Sequence, residues 1–380
     1  MKIKLFFSTA AVLLAGAFIL GNPEAASAAV RAAAESCLDV IVPSLFAFTV
    51  LAVFLRDSGL YRVALKPLTL PLSRLLRMDE ELCAYIILGN IGGYPVGAKL
   101  LSQAVDERRI TPQDAGRLLC CCFGSGPSFV IGIAGMRVFG SAAVGGAIFA
   151  ACFLSALVVA AAVRAQGEIT LRGERSAPQP TAQCLVKSVM TGARVMFTVC
   201  AMITAFAAVT ALLDAVGALR LAQAAFERLG AGEDAGRILP ALLEVSRTGE
   251  LSGAGFASVP LCAGLLSFGG VCVLLQVAAV AGNIPLKRFL LTRPLAAALS
   301  AVFALPAGLI PRAAAAAVPA GERTRSRGAL RLRCACLLCA GFCLRARIRR
   351  AGRREYYRTI TVLSKLLQLY YSFVTFVDFF

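Results

Sequence analysis

The sequence predicts an all-α, polytopic membrane protein built from two inverted repeats, each with a re-entrant hairpin. Three observations predict it. Of the 380 residues, 58% are hydrophobic and 16% charged, with a mean hydropathy of +0.77, whereas a soluble domain carries about a quarter charged residues. The 34 Gly and 16 Pro are scattered within apolar runs instead of being gathered in linkers, as expected of broken helices packed closely together. No run alternates polar and apolar residues with the period of two that a β-barrel requires.

Composition also excludes chemistry. The chain has no His and no Trp, which removes the Ser-His-Asp triad, His-metal catalysis, haem ligation by His and imidazole proton relays. No enzyme, cofactor or metal is expected. The net charge of +18 does not point to nucleic acid: residues 313–380 hold 13 Lys and Arg against three acids, more than half of the excess. The other basic residues cluster at the ends of apolar runs, as the positive-inside rule describes, and no soluble basic domain remains. Cys83, Cys120, Cys121, Cys122, Cys152, Cys200, Cys262 and Cys272 lie in apolar runs, where Cys acts as a small hydrophobe and not as a disulfide framework.

In chain order, residues 1–23 combine a basic start with an apolar core and read as an uncleaved first helix; a cleaved signal peptide is the alternative, given Ala26-Ser27-Ala28. Residues 24–163 form the first repeat. Its Ala-rich stretch 24–38 predicts an amphipathic interfacial segment, and Ile41 to Leu55 a span whose start Pro43 breaks. Residues 56–81, with Arg56, Arg62, Lys66, Arg74 and Arg77 between leucines, predict a basic cytoplasmic interface. Leu82–Asn90 and Val96–Val105 are each about half a membrane long, and Ile91-Gly-Gly-Tyr-Pro95 between them cannot continue a helix, so they read as a re-entrant hairpin. Leu118–Met136 and Ala142–Val163 read as two ordinary spans.

A polar, Pro-containing linker covers 164–186, and residues 187–312 repeat the plan. Val195–Leu213 is a span and Leu219–Arg237 amphipathic. Ile238–Val245 is half-length and is interrupted by Ser246 to Gly253, and Val259–Ala281 and Phe289–Leu309 are spans. Gly89-Asn90 aligns with Glu244-Val245, and Phe123-Gly-Ser-Gly126 with Phe268-Gly-Gly270. Residues 313–380 form an Arg- and Cys-rich tail of different composition. A thiolate metal site at Cys334, Cys336, Cys339 and Cys343, a membrane-surface tail, and a lineage-specific or out-of-frame extension all stay open for it.

Candidate binding residues follow from the interruptions, because main-chain groups freed at membrane depth must line a cavity or bind something. They are Asn90, Gly93, Tyr94 and Lys99 at the first loop, Glu244 and Thr248 at the second, and Ser125, Ser128, Ser267 and Gln276 in nearby Gly-rich turns or spans. Each has a plainer alternative: Lys99 snorkelling to the interface, Glu244 neutralised by Arg247, and the serines and Gln276 serving helix packing.

The run Gly89-Asn-Ile-Gly-Gly-Tyr-Pro-Val-Gly-Ala-Lys99, preceded by Val42-Pro-Ser-Leu-Phe46 and followed by Thr111-Pro-Gln-Asp-Ala-Gly-Arg-Leu118 and Phe123-Gly-Ser-Gly-Pro127, resembles the YlbJ-type sporulation integral membrane proteins of endospore-forming Firmicutes. Glu244-Val-Ser-Arg-Thr-Gly249, Leu266-Ser-Phe-Gly-Gly270 and Gln276 are similar to that family's second repeat. Members carry the nucleoside recognition or gate domain, related to concentrative nucleoside transporters. The resemblance implies a role in building the spore envelope, especially the cortex, on a transporter-like architecture. The function expected is therefore a multi-pass cell-membrane carrier of a small-molecule substrate in sporulation. A non-transporting scaffold or ligand sensor is the alternative. The expected partners are the lipid bilayer and that substrate, with a coupling ion and a homo-oligomer left open and no nucleic acid.

Overall fold

A computed structural model of the chain describes residues 16–17, 21, 23–173, 180–228, 235–250 and 258–309. The predicted first helix over most of 1–23 and the tail 313–380 lie outside the described residues. All regular structure among those described is helical, and five helical stretches are long and apolar enough to cross a membrane: Ala26–Asp57, Ala142–Ala165, Ala182–Ala215, Ser258–Ala281 and Lys287–Gly308.

The first stretch is one helical rod made of α1 (Pro23–Ser36), a wider π-turn at Cys37–Ile41 and α2 (Val42–Asp57). The expected separate interfacial segment at 24–38 is thus corrected: it runs straight into the span, and both α1 and α2 pack along α10 (Ala182–Ala215). Pro43 does not stop the helix. It lacks an N–H and its ring crowds the carbonyl four residues back, and the π-turn just before it, closed by Val42 N–H to Cys37 O, absorbs both defects.

Short helices α3 (Tyr61–Ala64) and α4 (Lys66–Leu76) lead to α5 (Glu80–Ile91), capped by Asp79, whose carboxylate accepts the Glu81 N–H at 2.8 Å. Next, α6 (Tyr94–Asp106) folds back on α5, so that a side chain at Gly89 would stand 3.1 Å from the Gly97 Cα. The expected break at Ile91 to Pro95 is where the chain turns.

Two expected spans are broken. Leu118–Met136 is not one helix: α7 (Pro112–Leu119) stops, Cys120–Gly126 is irregular, and α8 (Pro127–Phe129) resumes and widens into a π-helix at Val130–Val138. Gly126 at φ 76° and Pro127, which needs no N–H partner at a helix start, set where the second piece begins. Val259–Ala281 has a span's length and hydropathy but divides at Gly269 and Gly270, at φ 92° and 73°, into α13 (Ser258–Phe268) and α14 (Gly270–Ala281). These pieces go to different neighbours. α13 packs on α9 (Ala142–Ala165) and α15 (Lys287–Ala304), whereas α14 packs on α6 and α10.

The second-half amphipathic stretch begins as α11 (Ala218–Arg228), and after 229–234, outside the described residues, α12 (Ala235–Leu243) leads into a 3-10 turn at Val245–Glu250. The expected interruption at Ser246 to Gly253 starts there, and its last residues lie outside those described.

Close approach of small residues brings the spans together, as expected where lipid offers no hydrophobic drive between helices. A side chain at Gly135 in the π-helix would meet Gly145 of α9 at 2.7 Å, and one at Gly264 of α13 would meet the Ala297 carbonyl of α15 at 3.3 Å. The Ser155 hydroxyl of α9 donates to Ala296 O of α15 at 2.9 Å. The most apolar window of α9 is 72% buried, against 28% in α10. Phe197 of α10, 77% exposed, is among the side chains left to face lipid.

Candidate functional site

Four helix interruptions meet in the interior. At the first, Gly93 has φ 96° and Pro95 occupies the first turn of α6, so neither residue extends α5. The carbonyl of Gly92 accepts the Thr49 hydroxyl at 3.2 Å, a group shared with Leu45 O at 2.8 Å. Asn90, 2% exposed, donates its amide to Ile86 O at 2.8 Å and across to Cys121 O at 2.9 Å. That second bond fastens the first interruption to the second, at Cys120–Gly126. The approach needs glycine: a methyl group at Gly124 would stand 2.5 Å from Asn90 Oδ1, and a side chain at Gly97 would run into the Cys122 carbonyl.

The third interruption follows α12. The Glu244 carboxylate, 5% exposed, accepts the Ser246 N–H at 2.9 Å and also the Ser246 hydroxyl. Thr248, fully buried, donates to Val245 O at 2.7 Å. The fourth interruption, at Gly269-Gly270, lies against it, because a side chain at Gly270 would be 3.2 Å from both Leu242 O and Val245 N. On α14, Cys272 is within electrostatic reach of Glu244, and Gln276 donates to the Cys272 sulfur at 3.4 Å.

Two links join the pairs. Tyr94 donates its hydroxyl to Leu266 O of α13 at 2.8 Å, with Ser125 beside it and Glu244 within electrostatic reach. The Phe123 ring lies tilted at 4.9 Å from Tyr94 and edge-on at 5.1 Å from Phe289, and it closes on Gly269. Between Phe123 and Phe289 stands Arg293 of α15, 2% exposed, with its guanidinium 4.7 and 4.8 Å from the two ring centroids. It donates to the Cys120 carbonyl at the frayed end of α7, its Nε has no hydrogen-bond partner, and no carboxylate among the described residues pairs with it. Cation–π contact and a helix C-terminal carbonyl stabilise a guanidinium, but they leave its charge uncompensated.

Of the residues expected to bind, the structure therefore brings Asn90, Gly93, Tyr94 and Ser125 to the first pair of interruptions and Glu244, Thr248 and Gln276 to the second. Ser267, 8% exposed, follows the carbonyl that Tyr94 holds. Ser128 is half-buried in the first turn of α8. Lys99 is further along α6, half-buried, and makes no hydrogen bond or ion pair with a described residue. Sequence reasoning missed Arg293 and Thr49. Arg293 had a signal, a single charge inside the apolar run Phe289–Leu309, the kind of residue that is functional by default at membrane depth. Thr49 had none, since a hydroxyl in a span normally bonds to its own helix. Among the described residues, no group of three or more Cys, Asp or Glu is placed to hold a metal ion.

Five apolar helical stretches packed through small residues define a multi-pass helical membrane protein. The chain is similar to the sporulation integral membrane protein YlbJ of Bacillus subtilis (strain 168), with 28% identity over 186 residues, 47% of this chain. That relative is likewise an integral membrane protein, and the resemblance read from the Gly-Tyr-Pro and Ser-Arg-Thr-Gly motifs is borne out. The chain spans 45% of the relative's length. No family model and no solved structure matches the chain.

Proposed function

We propose that the chain is a membrane carrier of a small molecule in the sporulating cell, serving spore envelope and cortex formation, with its site where the four interrupted helices meet. The convergence of these interruptions on buried Asn90, Tyr94, Glu244, Gln276 and Arg293 carries the reading. Uninterrupted helices would satisfy their own main chain, so four costly breaks at one place are best explained by a cargo that uses the freed groups. The repeat within this reading is supported by order: in each half a broken hairpin or half-helix, Ile91–Gly93 or Leu242–Val245, lies on a later glycine break, Gly124–Gly126 or Gly270. The two hairpins would then be re-entrant, entering from opposite faces. An enzymatic role has less support, because without His no nucleophile–base pair is visible.

One observation favours the second reading, a scaffold or ligand sensor. The meeting point is tightly packed, and two cavities of about 270 and 220 Å³ are lined by Arg77, Arg109 and Arg164 and by Tyr61, Arg62 and Lys66, away from it. A carrier reading requires this conformation to be a closed one.

The test is complementation in a Bacillus subtilis strain lacking YlbJ. The full chain is expected to restore heat-resistant spores. Glu244→Gln keeps one acceptor oxygen for the Ser246 N–H, while its NH2 can donate to the Ser246 hydroxyl, and it is expected to accumulate normally while spore yield falls at least tenfold. Wild-type spore yield from Glu244→Gln would remove the acid from the site.

A further inference from the structure

The larger cavity, about 270 Å³, lies where the central span α9 ends, and guanidinium groups reach it from three separate elements: Arg77 after α4, Arg109 after α6 and Arg164 in the last turn of α9. They are not equivalent. Arg109 is committed to Glu81 at 2.7 Å and to the Gly173 carbonyl at 3.2 Å. Arg164 donates its Nε to the main-chain carbonyl of Arg77 at 2.8 Å, which holds the Arg164 side chain against the Arg77 main chain, and neither Arg77 nor Arg164 forms an ion pair with a carboxylate among the described residues. Two acids share the lining. Asp79 directs one oxygen to the capping bond with the Glu81 N–H, and Glu168 is exposed.

The surroundings identify the source of a matching anion. An exposed apolar pair, Val63 at 68% and Leu68 at 47%, projects from α3 and α4 nearby in sequence, and the second cavity there is mixed in charge, with Arg62 and Lys66 facing Glu80 and Glu81. Arg164 stands in the last turn of the α9 span, where acyl chains give way to headgroups and a long basic side chain reaches the interface. Basic pockets between membrane helices suit phosphate headgroups, and a guanidinium fork matches a phosphate's oxygens.

We propose that this cavity binds the phosphate of an anionic phospholipid, held by Arg77 and Arg164 at the end of the α9 span. The bound lipid would tie α4, α6 and α9 together at one membrane face, next to the interrupted hairpin. Arg109, already paired, shapes the pocket instead of supplying its free charge.

The experiment uses the purified full-length protein in phosphatidylcholine nanodiscs, titrated with a fluorescent phosphatidylglycerol at about 0.15 M salt. Saturable binding is expected, about tenfold weaker for Arg77→Gln/Arg164→Gln and within about threefold of the unsubstituted chain for Arg77→Lys/Arg164→Lys, since each basic residue near an anionic surface contributes on the order of a several-fold factor. Unchanged thermal unfolding of the Gln pair in phosphatidylcholine alone would show that its weaker binding is not loss of fold. Equal binding by the Gln pair and the unsubstituted chain would overturn the proposal. So would displacement of the labelled lipid by millimolar inorganic phosphate, because the site would then take phosphate as a solute.

Discussion

At the first interruption the freed main chain meets only neutral partners: the Thr49 hydroxyl on Gly92 O and the Asn90 amide bridging Ile86 O and Cys121 O. At the third, the partner is an acid, with the Glu244 carboxylate gathering the Ser246 N–H and hydroxyl. Both interruptions are buried and both rest on a glycine of a later break. The difference teaches where chemistry can reside. A neutral amide suffices to close a broken helix inside the membrane, and it costs far less to bury than an ionisable group. A buried acid at the third interruption, and a guanidinium lacking an acid partner beside Phe123, exceed what closing the chain demands. The first interruption is accordingly read as a joint, and Glu244 and Arg293 as the groups that would meet a cargo.

This comparison breaks most readily at the joint. Gly97→Val places atoms where the Cys122 carbonyl stands, and main chain cannot yield as a flexible side chain can. A loss of more than about 3 kcal/mol is expected, seen as little or no monodisperse protein in detergent. Near-normal yield of this variant would mean that the first two interruptions do not pack as described. Asn90→Ala is expected to have a smaller effect of the same kind. It orphans the Cys121 carbonyl and should lower stability by about 1–3 kcal/mol, measured as a lower thermal midpoint with the helical content unchanged at 20 °C. An unaltered midpoint would free Asn90 from its structural duty and return it to the list of cargo-binding candidates.

Much of this was legible in the sequence. Gly92-Gly93 with Pro95 announced the first break, and Ser246 to Gly249 the third, because adjacent glycines before a proline, or a polar Ser-Arg-Thr-Gly run in an apolar stretch, disfavour continuing an α-helix at membrane depth. The second and fourth breaks had equally local signals, Gly126-Pro127 and Gly269-Gly270, but length and hydropathy favoured unbroken spans over both. Hydropathy reports how much apolar chain is present and not whether it is continuous. The partners of each break were not legible. Asn90 could have faced a cavity, and only the fold brings Cys121 to it. The contact of Tyr94 with Leu266 crosses 172 positions of sequence, a distance over which no periodicity or spacing carries information. Arg293 stood in plain sight as a charge in an apolar run, while its neighbours Phe123 and Cys120 belong to the other half of the chain.

The central claim is that charge at the meeting point serves function and not fold, and Arg293→Met tests it most directly. Methionine fills much of the same length between Phe123 and Phe289 and makes favourable contact with aromatic rings. Replacing a buried charge that lacks a carboxylate partner by an apolar side chain of similar size is often neutral or stabilising. The account predicts that purified Arg293→Met unfolds within a few degrees of the unsubstituted protein, or above it, while the number of heat-resistant spores it restores in the strain lacking YlbJ falls at least tenfold. Full spore restoration would show the charge to be idle, and a collapse in folded protein would show it to be structural; either result contradicts the claim.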